Sequence, residues 1–127
     1  MKSDPKECLY CQNNETLHNL MIEIAQLSVS RVFLFKEQTY RGRCLVAYKD
    51  HVNDLNELSD EDRNAFMADV ARVTRAMQKA FQPEKINYGA YSDKLSHLHF
   101  HLAPKYVDDG AGCKCTVRRG GCSVGCW

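Results

Sequence analysis

The chain has 127 residues, 44% of them hydrophobic and 26% charged, with a formal net charge of +1, and this composition fits one globular domain with a modest core. The near-neutral charge balance argues against nucleic acid or a membrane surface as a partner, so any anionic ligand would be held by local groups. The polar first residues lack a signal-peptide pattern, and no apolar run is long enough to span a bilayer, so we expect a cytoplasmic protein.

The first predicted elements are a polar segment and a hairpin. Residues 1–15 are polar and contain a C-x-x-C motif, which indicates a loop or a metal knuckle. Residues 20–27 are compatible with either a strand or a helix. An antiparallel hairpin is predicted next. It consists of a strand over residues 32–35, which are apolar and favour β-structure, a turn over 38–42 and a second strand over 43–48.

The clearest predicted helix spans about residues 59–82. Ser59 is a suitable N-cap, and the three acidic residues after it lie in the first turn, where carboxylates interact favourably with the helix dipole. Apolar residues then recur at spacings of four, three, four and four, which forms one stripe along about four turns. These residues are Phe66, Val70, Val73, Met77 and Phe81. Pro83 ends the helix.

The most informative stretch is His-Leu-His-Phe-His-Leu-Ala at residues 97–103, which follows a predicted strand at 86–91 and a turn at 92–96. Because side chains alternate between the faces of a strand, three imidazoles would share one face and the apolar residues would face the core. A single histidine there could be an ordinary core residue. Three in alternation favour either a metal site or nucleotidyl transfer, in which one imidazole attacks phosphorus and its neighbours bind phosphate oxygens.

The seven cysteines are odd in number and unevenly spaced, so metal binding or a redox role is favoured over structural disulfides in a reducing compartment. Four of them lie in residues 107–127, together with five of the seven glycines. We therefore predict a domain over residues 1–106 and a Gly/Cys-rich tail over residues 107–127. The tail is either flexible, which we favour, or a small knot in which its cysteines bind a second metal.

The histidine stretch matches the H-φ-H-φ-H-φ-φ signature (φ apolar) of the histidine triad, or HIT, family. The order of segments is also similar: a hairpin, His51 before a leucine-rich connection, one helix, a strand with Asn87, and the triad. The resemblance covers about residues 8–106. It implies an α+β fold, in which one main helix packs on an antiparallel sheet of about five strands, and a homodimer. It also implies a nucleotide hydrolase or transferase acting at the α-phosphate of dinucleoside polyphosphates or nucleoside phosphoramidates.

The resemblance also implies roles for individual residues. His99 would be the nucleophile that forms a covalent nucleotidyl-histidine intermediate, which water then hydrolyses. His101 would donate to a phosphate oxygen and assist the leaving group. Asn87 resembles the asparagine that family members place beside the phosphate.

The sequence departs from the family pattern in two regions. Many members carry Gln-Ser or Gln-Thr before the triad, whereas this chain has Asp93 and Lys94. Lys94 would bind phosphate as a point charge. Many members hold the ribose hydroxyls with Asn or Asp after the first hairpin strand, and here Lys36 and Glu37 occupy that region. Glu37 could accept from the ribose, although a solvated turn residue fits equally well.

A subset of the family carries C-x-x-C near its start and binds a structural Zn²⁺. This chain resembles that subset, and it also resembles the diadenosine polyphosphate hydrolases of the family. The matching ligands here are Cys8, Cys11, His51 and His97, and such a set leaves no open coordination position.

The hypothesis that competes with a nucleotide hydrolase is a non-catalytic protein that keeps the fold and binds nucleotide or zinc without turnover.

Overall fold

The computed structural model describes residues 4–91 and 96–107. The strands are β1 (Met21–Gln26), β2 (Ser30–Phe35), β3 (Cys44–Tyr48), β4 (Lys85–Gly89) and β5 (His99–Lys105). The α-helices are α1 (Leu9–Gln12), α2 (Glu15–Leu20) and α3 (Asp60–Phe81), and 3₁₀ turns cover Pro5–Glu7 and Leu55–Glu57. The strands form one sheet in the order β1-β2-β3-β5-β4, with every neighbouring pair antiparallel. The predicted α+β class, five-stranded sheet and single main helix are confirmed.

The predicted hairpin is confirmed as β2 and β3, which pair Val32 with Val46. The ambiguous segment before it is a strand, β1, whose pairing with β2 is shifted by an irregularity between Glu23 and Ala25. The hairpin loop ends at Gly42, which has a φ of +84°. A Cβ atom there would lie 2.7 Å from the ring of Phe81, so only glycine fits where the loop crosses the end of α3.

Helix α3 begins and ends as the sequence predicts. The Ser59 hydroxyl accepts a hydrogen bond from the amide of Asp62 at 3.2 Å, which satisfies one of the free donors at the helix start. At the other end, Gln82 adopts a left-handed conformation with a φ of 49°. Four residues of the predicted apolar stripe are buried and Phe81 is half-buried, so the stripe faces the sheet.

Buried apolar side chains form two clusters, and residues that alternate along β2 and β3 contribute to different clusters. The cluster against α3 comprises Val32, Cys44, Val46, Tyr48, Phe66, Val70, Val73, Met77, Leu98 and Leu102. The cluster against α1 and α2 comprises Cys8, Tyr10, Leu17, Met21, Phe33, Leu45 and Ala47. The sheet therefore has a helix-α3 face and an opposite face, which we call the histidine face because β5 directs His99 and His101 to it.

The structure corrects two details of the sequence analysis. Within residues 4–15, where the sequence predicts a loop or a metal knuckle, the structure has two short helical segments, Pro5–Glu7 and α1, and the Asp4 side chain caps the first of them. Strand β5 begins at His99, so His97 precedes the strand and does not share its pairing. The backbone between His97 and His99 is still fixed, since the Leu98 amide donates to the Val52 carbonyl at 2.7 Å.

Two predictions fall outside the described residues. The turn that contains Lys94 and nearly all of the proposed tail, residues 108–127, are not part of the structural description. Within residues 4–91 and 96–107, no helix has both the length and the apolar character needed to cross a membrane.

A buried carboxylate joins α3 to the β1–β2 turn. Asp69 is 1% exposed and accepts three hydrogen bonds, from the Ser28 hydroxyl at 3.2 Å, the Val29 amide at 2.9 Å and the Ser30 hydroxyl at 2.8 Å. A buried charge is tolerated when such donors surround it, and their loss leaves unsatisfied polar groups. Asp69 therefore fixes where α3 lies on the sheet.

We expect Asp69→Ala to lower the free energy of unfolding by about 3 kcal/mol, because three donors lose a charged acceptor inside the fold. The matched control is Asp60→Ala on the same helix, whose side chain is 89% exposed in its ion pair with Arg63 and should cost no more than about 1 kcal/mol. Urea unfolding measures both, and equal losses would contradict the structural role of Asp69.

Candidate active site and metal centre

His99 has one ring nitrogen held and the other left available. Its Nδ1 lies 2.5 Å from the carbonyl oxygen of His97. Because a carbonyl can only accept, Nδ1 carries the proton and Nε2 carries the lone pair. Burial also lowers the pKa of His99, which keeps the ring neutral near pH 7. A neutral imidazole with a free Nε2 lone pair is a competent nucleophile.

His101 has the opposite arrangement. Its Nδ1 lies 3.3 Å from Nη2 of Arg43, and a guanidinium can only donate, so Nδ1 accepts and Nε2 carries the proton. Burial, and then the neighbouring His99 and Arg43, lower the pKa of His101 to about 4. The ring centroids of His99 and His101 are 5.1 Å apart. The two neighbours therefore offer a lone pair on one Nε2 and a proton on the other.

His99 is buried but lies beside a cavity. The residue is 5% exposed, and it lines a cavity of about 150 Å³ together with Asn53, Leu55 and Ala90. Open space is therefore present next to the start of β5.

A second cluster of functional groups combines residues that are distant in sequence. The ligand atoms of Cys8, Cys11, His51 and His97 all lie within 4.8 Å of one another. Nδ1 of His97 lies 3.4 Å from the sulfur of Cys8 and 3.6 Å from that of Cys11. Nδ1 of His51 lies 3.3 Å from the Cys11 sulfur. These four residues could hold a metal ion.

The hydrogen bonding of His97 suits a metal ligand. Its Nε2 lies 2.7 Å from the carbonyl oxygen of Tyr48, so Nε2 carries the proton and the Nδ1 lone pair points to the two sulfurs. Burial lowers the pKa of His97 to about 4, which keeps that lone pair free. Burial and the Cys8 thiol raise the pKa of Cys11 to about 11; a bound cation would reverse this and favour the thiolate.

Tyr10 packs between the Cys8, Cys11, His51 and His97 cluster and His99. It lies inside the C-x-x-C motif, and its ring centroid is 5.2 Å from that of His97 and 5.5 Å from that of His99. The sequence analysis did not identify this residue. The signal available was its position between the two cysteines of the C-x-x-C motif, where an aromatic ring can pack against the surface that the cysteines approach.

Arg31 anchors the same segment to the sheet. From β2 it donates to the Tyr10 carbonyl at 2.8 Å and to the Asn13 side chain at 3.2 Å, and it forms an ion pair with Glu23 at 2.7 Å. The side chains of this pair are 18% and 25% exposed. Arg31 therefore orders the cysteine segment before any metal binds.

The other predicted site residues lie in different places. Asn87 is half-buried on β4 opposite Ala103, and the next pair along the histidine face is Gly89 with His101. Asn87 therefore lies diagonally beyond His101. Glu37 is exposed and accepts from the amide and hydroxyl of Thr39 within its own loop, and these bonds lower its pKa.

Comparison with known proteins identifies the family. Residues 14–108 match the HIT domain family, which is most of the chain. The chain belongs to this family. The adenosine 5'-monophosphoramidase hnt1 of Schizosaccharomyces pombe is 32% identical over 89 residues, covering 66% of this chain and 64% of that protein. The adenosine 5'-monophosphoramidase HNT1 of Saccharomyces cerevisiae is 25% identical over 103 residues, covering 77% and 62%. The chain thus spans a little under two thirds of each of these two relatives.

Solved structures agree on the HIT fold. A histidine triad protein from Bradyrhizobium japonicum superimposes with a TM-score of 0.71 over 87% of this chain and 80% of its own, at 22% sequence identity. A HIT protein from Sinorhizobium meliloti gives a TM-score of 0.72 over 87% and 82%, at 21% identity. The predicted HIT-like fold is therefore confirmed.

We expect Arg31→Met to weaken metal binding by this HIT domain at least about tenfold, because the cysteine segment loses both of its charge-assisted hydrogen bonds and one such bond of about 1.5 kcal/mol already corresponds to a factor of about ten. Competition with a chromophoric chelator measures the affinity. Arg72→Met, at an exposed position of α3, is the control and should bind like the wild type. Equal affinity of all three proteins would contradict the anchoring role of Arg31.

Proposed function

We propose that this HIT protein is a nucleotide hydrolase that acts at the α-phosphate of nucleoside phosphoramidates, with dinucleoside polyphosphates as a second substrate class. The observation that carries the proposal is the opposite protonation of neighbouring Nε2 atoms on His99 and His101. Two relatives named as adenosine 5'-monophosphoramidases support the phosphoramidate class. Phosphoryl transfer mainly requires positioning and charge stabilisation, which this arrangement supplies.

The proposed reaction has two steps. Nε2 of His99 attacks the α-phosphorus, the bond to the leaving group breaks, and a nucleotidyl-histidine forms. The ring becomes cationic at that moment, and the carbonyl of His97 stabilises the charge through its bond from Nδ1. Nε2 of His101 donates a hydrogen bond to a phosphate oxygen and keeps its proton, and the leaving group takes up a proton from water as it departs. In the second step water attacks the phosphorus and the bond from phosphorus to Nε2 of His99 breaks. The mononucleotide leaves, the proton that the attacking water gives up passes to solvent, and His99 returns to its neutral form.

Three residues complete the proposed substrate site. Asn87 would contact the phosphate side, since it shares the histidine face with His101. Lys94 would neutralise phosphate charge, and its placement lies outside the described residues. Glu37 would accept from the ribose hydroxyls, which requires it to exchange its bonds to Thr39 for the ligand.

We expect wild-type protein, incubated with labelled adenosine phosphoramidate and rapidly quenched, to carry an acid-labile nucleotidyl adduct. His99→Ala should lose the adduct and at least about 10⁴-fold in turnover, because the nucleophile is absent. The matched control is His18→Ala, which removes an exposed histidine bonded to Asn13 and should keep full activity. A diadenosine polyphosphate assay run in parallel compares the two substrate classes.

The competing function makes a different prediction. A non-catalytic HIT-fold protein would bind nucleotide with no adduct and no product from either substrate. That result would reject the hydrolase and favour a nucleotide-binding role.

We also propose that the metal is Zn²⁺ and that its role is structural. Tetrahedral zinc holds sulfur at about 2.3 Å and imidazole nitrogen at about 2.0 Å, which places such ligands about 3.5 Å apart. The three sulfur–nitrogen distances of 3.3, 3.4 and 3.6 Å support this geometry. Two thiolates and two imidazoles close the coordination shell, so the ion would fasten the cysteine segment to the sheet and leave no position for substrate.

We expect elemental analysis of protein purified without added metal to find about one zinc per chain. Cys8→Ser should lose the zinc and unfold at a lower temperature, because metal binding contributes to folding. Cys44→Ser is the control for zinc content and should keep the zinc, since Cys44 is a buried thiol outside the metal-ligand cluster and bonds the Gly42 carbonyl at 3.3 Å. Wild-type protein without zinc would reject the proposal.

Assembly, domain limits and location complete the proposed function. We propose a homodimer and a domain over residues 1–106 followed by a separate tail, as the family resemblance and the composition suggest. A reducing compartment such as the cytoplasm suits the proposal, because it would keep the thiols of Cys8 and Cys11 available for the metal.

A further inference from the structure

Arg43 contacts His101, the proposed hydrogen-bond donor to the substrate phosphate. It lies one residue before β3 and is half-buried. Its Nη2 is 3.3 Å from Nδ1 of His101, and its guanidinium carbon is 4.2 Å from the ring centroid of Phe35. Phe35 in turn stacks on His101, with ring centroids 5.7 Å apart and planes 17° from parallel. The three side chains form one packed group on the histidine face.

We propose that Arg43 is a positioning residue for His101, holding the imidazole in the form that carries its proton on Nε2, where the substrate phosphate would lie. The inference rests on the proposed function, because it assigns a purpose to that proton. The function of Arg43 is nevertheless separable from turnover, since the position of the proton on His101 can be observed without substrate.

The chemistry of the two side chains supports this role. A neutral imidazole can place its proton on either nitrogen, and its neighbours decide which form dominates. A guanidinium stays protonated at any physiological pH and has no acceptor, so the nitrogen facing it must offer a lone pair. If the proton moved to Nδ1, two donors would face each other inside a half-buried group. Arg43 therefore excludes the form in which His101 could not donate to substrate.

Phe35 and Gly42 fix the orientation in which the Arg43 guanidinium approaches His101. A guanidinium stacks on an aromatic face with its plane fixed, and the remaining donors then point in set directions. The preceding residue, Gly42, is held against the Phe81 ring in a conformation that other residues strain to adopt. The backbone before Arg43 and the ring beneath its guanidinium are thus both fixed.

The hairpin loop supplies its own control. Arg41 lies two residues earlier, is exposed, and stacks on Tyr106, with its guanidinium carbon 4.8 Å from that ring centroid. The Tyr106 hydroxyl also donates to the Arg41 carbonyl at 2.7 Å. Arg41 and Arg43 therefore lie in the same loop and carry the same charge, but Arg41 contacts Tyr106 whereas Arg43 contacts Phe35 and His101.

The test uses ¹⁵N-histidine-labelled full-length protein and the ring ¹⁵N chemical shifts of His101, assigned by comparison with His101→Gln. We expect the wild type and Arg41→Met to carry the proton on Nε2. Arg43→Met should shift His101 towards the Nδ1-protonated form and lower kcat by about tenfold to a hundredfold, a part of what one positioned hydrogen-bond donor contributes, with KM changed less than kcat. Arg43→Lys keeps a cationic donor and should restore most of both properties.

Two results would overturn the proposal. One is a wild-type spectrum in which His101 carries its proton on Nδ1, a result that needs no variant to fold. The other is an Arg43→Met spectrum that still shows the proton on Nε2. If neither substrate is turned over, the proposed hydrolase fails, and the spectra still decide whether Arg43 sets the proton position.

Discussion

The hydrogen bond from Nδ1 of His99 to the carbonyl of His97 is the interaction on which the site depends. It decides which nitrogen of His99 is available, and its acceptor belongs to a residue whose side chain lies in the metal cluster. His97 is fixed from both sides, because its own Nε2 bonds the Tyr48 carbonyl and the Leu98 carbonyl accepts from the Tyr48 amide at 2.9 Å. One residue therefore contributes its ring to the cluster of candidate metal ligands and its main-chain carbonyl to His99, the proposed nucleophile.

The two faces of the sheet are stabilised by different means. The α3 face is an apolar core, with Asp69 as a buried polar connection between the helix and the β1–β2 turn. The histidine face is covered by short segments that are too small to be stable helices alone. These segments are held by Arg31, by the packing of Tyr10 and by the proposed metal ligands. The α3 face is thus held mainly by apolar packing, whereas the histidine face combines a smaller apolar cluster with polar anchors.

The sequence predicted the features that depend on periodicity and local signals. The apolar stripe of α3 and its Ser59 cap follow from spacing and residue type alone, and the alternation at residues 97–103 indicates the histidine face. The supporting residues could not be found in this way. Arg31 and Tyr10 are 21 residues apart, and Arg43 and His101 are 58 apart, so nothing in their local sequence predicts contact. Strand β1 was ambiguous because it is an edge strand with exposed isoleucines and an irregular register.

The clamp of Gly42 on Phe81 gives the hairpin loop an uneven tolerance for evolutionary change. Lys36, Glu37 and Thr39 are exposed, and substitutions there would change the surface of the loop at little cost in stability. Gln38 is also exposed, but its side chain bonds the Phe35 carbonyl and the Gly42 amide. Gly42 has no such freedom, because any side chain would strain its backbone and strike the ring at the end of α3. The exposed tip of the loop can therefore change without moving the backbone that carries Arg43 towards His101.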